Sequence, residues 1–209
     1  MIIRSGKQEL GVSLNLSDVA FGFAYESVLE GWRDAGAELA VFSPLADEAP
    51  SDHTDAVYLP GGYPELHAGR LAANRRFLQG LRASAARGAA IYGECGGFMV
   101  LGRSLIDADG KSHTMAGLLP VATSFAKPVL HLGYRGARLT RATPLGPAGT
   151  GFRGHEFHYA SLVEIEGPPL FQASDGTGAS LGPMGAVQGS VLGSFLHLID
   201  RAELCARNG

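Results

Sequence analysis

A chain of 209 residues with 45% hydrophobic content is long enough to bury one substantial core, and it shows no linker that would divide two. Its formal net charge of -3 comes without a like-charge run or basic stripe, which argues against nucleic acid as the main partner. No apolar stretch approaches the length needed to span a bilayer, Met1 to Gln8 lacks the apolar core of a signal peptide, and two cysteines, Cys95 and Cys205, are too few for a disulfide framework. A cytoplasmic globular chain that meets a small molecule or another protein is expected, with no membrane partner.

Residues 1–11 read as a linker or an expression remnant, ahead of one domain at 12–209. Val12 to Leu16 is the first expected strand, and Tyr25 to Ala35 carries Val28, Leu29 and Trp32 at helical spacing before Gly36 ends it. Glu38 to Phe42 and Ala56 to Leu59 are the next strands, and Leu71 to Ala86 is a helix that can turn Leu71, Phe77, Leu78 and Leu81 to a sheet. Alternating strands and helices with short connections predict a mostly parallel sheet covered on both faces, with chemistry at the carboxyl ends of its strands.

One such end is Ala90-Ile91-Tyr92-Gly93-Glu94-Cys95-Gly96-Gly97-Phe98, where an apolar strand breaks into a glycine-flanked cysteine and resumes as a helix. That is the local pattern of a nucleophile elbow, in which the turn pushes the cysteine into a pocket and the helix N-terminus favours a thiolate. A structural cysteine buried in a tight turn is the competing reading. Beyond Gly117 short β-rich runs replace the alternation, at 117–122, 136–140, 157–164, 184–188 and 190–196, and several should pair antiparallel. The segment 144–151 reads as an exposed loop, and Asp175 to Gly178 as a hairpin turn.

Three further segments accompany the elbow: Val57-Tyr58-Leu59-Pro60-Gly61-Gly62-Tyr63-Pro64-Glu65-Leu66, Gly154-His155-Glu156-Phe157-His158-Tyr159 and Gly193-Ser194-Phe195-Leu196-His197-Leu198. In this order, the set resembles the glutamine amidotransferase domain of the cobyrinic (hydrogenobyrinic) acid a,c-diamide synthase family, from about Val12 to about Ala202. The resemblance implies an α/β, flavodoxin-like class I glutamine amidotransferase fold, with additional antiparallel strands in the C-terminal half. It also implies hydrolysis of L-glutamine through a cysteine thioester, with the ammonia passed on to amidate corrin a and c carboxylates in cobalamin biosynthesis.

Within that resemblance Cys95 is the nucleophile and His197 its base. Backbone N–H groups of Gly62 and Gly96 are the natural oxyanion donors, because glycine there aims an amide inward and leaves room for substrate. Glu156, His158 and Tyr159 are candidates for holding glutamine, with a purely structural hydrogen-bonding role the alternative for Glu156 and His158. His155 and His158 sit on opposite faces of a strand, so no metal is expected. Many class I amidotransferases place a carboxylate two residues after the histidine, but position 199 is isoleucine. A Cys95–His197 dyad is therefore expected, with Asp200 as a candidate orienter and Glu94 as a charge that tunes the site.

No Gly-x-x-x-x-Gly-Lys-Ser/Thr phosphate loop occurs. The chain is expected to need no cofactor of its own, with ATP and magnesium belonging to a synthetase domain or subunit that this chain lacks and that would bring the corrin substrate. A homodimer is compatible with this reading. Two alternatives stay open: a free-standing glutaminase subunit, and a pseudo-glutaminase scaffold serving a ligase for another tetrapyrrole or acid.

Overall fold

The computed structural model describes residues 10–14 and 18–202, so Cys205, most of the 1–11 segment and the end of the first expected strand lie outside it. In chain order the described residues form β1 (Leu10–Leu14), α1 (Glu26–Asp34), β2 (Ala37–Val41), β3 (Ala56–Leu59), a 3-10 turn at Pro64–His67, α2 (Ala68–Ala73), α3 (Arg75–Ala86), β4 (Ala90–Glu94) and α4 (Gly96–Leu101). There follow β5 (Ser104–Ile106), β6 (Ser112–Thr114), β7 (Val121–Ser124), β8 (His131–Leu139), β9 (Gly151–His158), β10 (Ser161–Ile165), β11 (Phe171–Asp175), β12 (Ser180–Met184), β13 (Ala186–Gln188), β14 (Val191–Ser194) and β15 (Leu196–Ala202).

The central sheet runs β13-β14-β4-β3-β1-β2, with every pair parallel except the edge strand β13 against β14. Its inner strands β3, β4 and β14 are buried on both faces, while the edge strand β2 is largely exposed, and the two-residue repeat sends alternate side chains into different cores. Val57, Leu59 and Ile91 join Leu71, Phe77, Leu81 and Phe98 from α2, α3 and α4. Ala56, Tyr58 and Tyr92 join Val28, Leu29 and Trp32 of α1, together with Phe152, Phe171 and Leu196 from a second sheet. That second sheet is antiparallel, in the order β12-β11-β8-β9-β15, and a third runs β10-β7-β5-β6. The fold is α/β with a mostly parallel central sheet and antiparallel strands in the C-terminal half, as expected.

Several boundaries differ from the sequence reading. The helix expected at 71–86 is two helices, because Asn74 leaves helical geometry at ψ 85° and its side-chain amide donates to Pro44 O at 2.7 Å. The run at 157–164 divides between β9 and β10. The run at 184–188 divides at Gly185, whose φ of +71° suits a residue without a Cβ. The run at 117–122 is mostly loop, and its strand begins at Val121. Asp175 does turn β11 into β12, accepting from Thr177 N and Ala179 N on Oδ1.

The connection that matters for chemistry is one residue long. β14 lies parallel to β4 with Ser194 opposite Glu94, and after Phe195 alone the chain enters β15 of the other sheet. His197 is thereby delivered to the carboxyl end of β4.

Candidate active site

The backbone at Cys95 has φ +49° and ψ −103°, a conformation that costs a non-glycine residue on the order of 1–3 kcal/mol. Three backbone bonds hold it there: Cys95 N to Ser194 O at 2.8 Å, Met99 N to Cys95 O at 3.2 Å and Gly97 N to Pro60 O at 3.1 Å. The last ties the elbow to the glycine pair at 61–62. A Cβ on Gly96 would come within 3.0 Å of Gly62 N, so the two expected oxyanion donors belong to adjoining backbone segments. Gly96 also opens α4, where the first amides have no acceptor inside the helix.

Gly61 has a different task. A Cβ there would overlap His197 Cε1, so the imidazole approaches bare backbone with its Cε1 edge. A Cβ on Gly62 would likewise overlap Ala20 O of the crossing chain. Both glycines are set by close approach.

His197 is 3% exposed and sits between Cys95 and Glu94, with the Cys95 Sγ also 3.8 Å from Phe157 O. Its Nδ1 lies 3.4 Å from Glu94 Oε1, which leaves Nε2 for the sulfur. Glu94 is 1% exposed and accepts from Tyr58 Oη at 3.0 Å and Leu198 N at 3.1 Å. A buried carboxylate needs such partners. Burial, and then the charge on Glu94, holds the Tyr58 hydroxyl protonated well above its ordinary range, so it remains a donor.

Burial alone would lower the pKa of His197, but the bonds to Cys95 and Glu94 outweigh it and raise the value to about 10. The consequence for stability has a definite sign. The contribution is complete below the ordinary value of 6.5 and is lost as pH rises through about 10. Melting midpoints of the wild type and His197→Gln, measured from about pH 6 to about pH 11, should converge toward the alkaline end. A constant gap over that range would contradict the raised value.

His155 stacks on His197 with centroids 4.7 Å apart and planes 3° from parallel, and its Nε2 is hydrogen-bonded to Tyr25 Oη. Burial, then the charge on His197, lowers the pKa of His155, so a neutral ring covers the charged one.

Glu156 and His158 share a face, as period-two spacing requires. His158 Nε2 meets Glu156 Oε1 at 2.9 Å and Nδ1 meets Ala160 O at 2.8 Å, while Arg135 Nε donates to Glu156 Oε2 at 2.8 Å. Burial raises the Glu156 pKa, but His158 and Arg135 prevail and lower it. Both Glu156 oxygens are thus engaged, and Glu156 lines a neighbouring cavity of ≈ 430 Å³. His158 lines both that cavity and the one that holds Cys95, and Tyr159 lines the latter. Of the two roles expected for Glu156, this geometry favours the structural one, in which it holds His158. Its ligand atoms and those of His131 and His158 lie within 4.8 Å of one another. The His131 and His158 rings are stacked 10° from parallel, so their in-plane lone pairs do not converge, and Arg135 already occupies Glu156. The set fits a metal poorly.

Asp200 is corrected. It lies exposed on β15, after a register shift between Leu198 and Asp200, whereas the carboxylate that meets His197 is Glu94. Position 94 was read as a tuning charge because it precedes the nucleophile. The overlooked signal was an acid ending a strand buried on both faces, where an ionised group must have a partner. Gly61, His155, Tyr25 and Arg135 also belong to the site, and nothing local in the sequence marks the contacts that each makes there.

The cavity at Cys95 is narrow, with ≈ 10 Å³ of room, about one water. Phe23 and Tyr63 meet edge to face at its mouth with centroids 5.2 Å apart, as do Phe157 and Tyr159 at 6.1 Å. All four rings are exposed, as is the adjoining Leu66.

The profile of a CobB/CobQ-like glutamine amidotransferase domain matches residues 20–203. A hydrogenobyrinate a,c-diamide synthase of Brucella anthropi is 54% identical over 184 residues, covering 88% of this chain and 42% of that protein. One of Rhodobacter capsulatus is 53% identical over 182 residues, covering 87% of this chain and 42% of that protein. The chain thus spans less than half the length of these relatives. A solved structure of PurLQS from Thermotoga maritima superposes with a TM-score of 0.62 at 20% identity, covering 90% of this chain and 87% of that one. That likeness concerns the fold. No helix among the described residues is long and apolar enough to cross a membrane.

Proposed function

We propose that this chain, which belongs to the CobB/CobQ-like glutamine amidotransferase domain family, is the glutaminase half of an ATP-dependent hydrogenobyrinic or cobyrinic acid a,c-diamide synthase. The observation that carries the reading is the Cys95–His197–Glu94 line at the carboxyl end of the central strand β4.

The residues supply each step. Cys95, as thiolate, attacks the side-chain amide carbon of glutamine, and the oxyanion that forms is met by the N–H groups of Gly62 and Gly96. His197, already protonated, gives its proton to the departing nitrogen, so ammonia leaves and a γ-glutamyl thioester remains. The neutral imidazole then takes a proton from water, whose oxygen attacks the thioester. Glutamate leaves, and the thiolate–imidazolium pair is restored. Glu94 holds His197 through Nδ1 and balances its charge throughout.

Activation of the corrin carboxylates is assigned to a partner that binds ATP and magnesium, because this chain carries no phosphate loop. The exposed collar of Phe23, Tyr63, Leu66, Phe157 and Tyr159 supports docking at the mouth of the cysteine cavity. The narrowness of that cavity supports coupling, since glutamine enters only after the collar moves. Glutamate release by this chain alone is expected to be slow. Addition of the ATP-dependent partner with its corrin substrate should raise it on the order of tenfold or more and restore amide formation. ATP-dependent amidation by the chain alone, or no glutamate release in either setting, would contradict the proposal.

A further inference from the structure

Glu65 follows the glycine pair in the 3-10 turn Pro64–His67 and lines the same cavity as Cys95. Its Oε2 is buried and has no hydrogen-bond partner. The turn cannot drift from the elbow, because a Cβ on Gly96 would meet Pro64 Cδ at 2.8 Å. A carboxylate oxygen buried beside the nucleophile without a donor loses solvation that the protein does not return at that atom. Burial accordingly raises its pKa, and only its own backbone N–H works in the opposite direction. No Lys or Arg lines this cavity, and both ring nitrogens of His158, which does, are held by Ala160 O and Glu156, so a cation for Glu65 would have to come from the ligand.

Glutamine carries one. Its α-ammonium is four bonds from the amide carbon that Cys95 attacks, a short reach within a cavity that already contains both residues. The helix following the nucleophile offers no competitor, since the side chain it turns into the cavity is the thioether of Met99, a weak acceptor. We propose that Glu65 is a specificity-determining residue that receives the α-ammonium of the incoming amino acid and so selects α-amino acid amides over simple amides. This inference rests on the reading of the site as a glutaminase.

The chemistry predicts selection at the amine alone. A charge-assisted bond gained by a buried carboxylate is lost in Glu65→Gln, whereas reagents without an amine never had it. The test is the rate at which Cys95, with the ATP-dependent partner present, is alkylated by three reagents: L-2-amino-4-oxo-5-chloropentanoic acid, its analogue lacking the amine, and iodoacetamide. Wild type should label faster with the amino-acid chloroketone than with the desamino one. Glu65→Gln should lose on the order of tenfold or more of that preference while the other two rates hold. Glu65→Asp, which keeps the charge, should retain part of it. Preference intact in Glu65→Gln would overturn the assignment of Glu65 alone. Equal slowing with all three reagents would also overturn it, because it would mean that the residue only supports the elbow. A wild type that labels without any preference would overturn this inference and the glutaminase reading together.

Discussion

Glu94→Gln is expected to lower glutamine turnover on the order of 10³-fold or more, while Asp200→Asn stays within about twofold. The amide fills nearly the same volume: with its oxygen in the Oε2 position Leu198 N keeps its acceptor, while the amino group in the Oε1 position can donate to Tyr58 Oη. What is lost is the charge opposite His197 Nδ1. Without it, burial lowers the pKa of the imidazole, and the proton needed by departing ammonia is no longer held at neutral pH. His197→Asn removes the proton carrier itself and should cost at least as much. The check is steady-state glutamate release by the four proteins with the partner present. A ranking in which Asp200→Asn is the most damaged of the three variants would return the orienting role to β15.

The position of this carboxylate marks the boundary of what the sequence could show. Strand and helix alternation, the elbow and the glycine pair are local features, and each was legible in neighbouring residues. The meeting of His197 with Glu94 depends on register. Ser194 pairs with Glu94 across two parallel strands, and a single residue, Phe195, separates that strand from one in another sheet. Such a step leaves no periodic trace in the sequence, so an acid three positions beyond the histidine looked nearer than one a hundred residues before it. The same holds for Gly61. Its pairing with Gly62 announced a turn, but the His197 ring that requires it comes from the opposite end of the chain.

The choice between the two roles of Glu156 was out of reach of the sequence for a related reason. Period-two spacing correctly put Glu156 and His158 on one face, yet it could not say that Arg135 on the neighbouring strand would claim the carboxylate. Asn74 shows the limit in helices. Nothing in the run Leu71 to Ala86 requires a break, and the side chain of Asn74 leaves the helix for carbonyls thirty residues earlier in the sequence.

The second large effect concerns the thiols. Cys95→Ala should reduce glutamate release to background, a loss on the order of 10⁴-fold or more, because no other side chain at the elbow can form the thioester. Cys205→Ser, outside every motif, should be nearly silent. Equal losses in the two variants would show that the elbow is not where the chemistry occurs.

Trapping the intermediate tests the account most directly. Acid quenching of the partner-bound protein during glutamine turnover, followed by peptide mass analysis, should find one γ-glutamyl group on the peptide carrying Cys95 and none in Cys95→Ala. Glutamate released steadily with no adduct on Cys95, or with the adduct on another residue, would contradict the assignment of this elbow as the nucleophile.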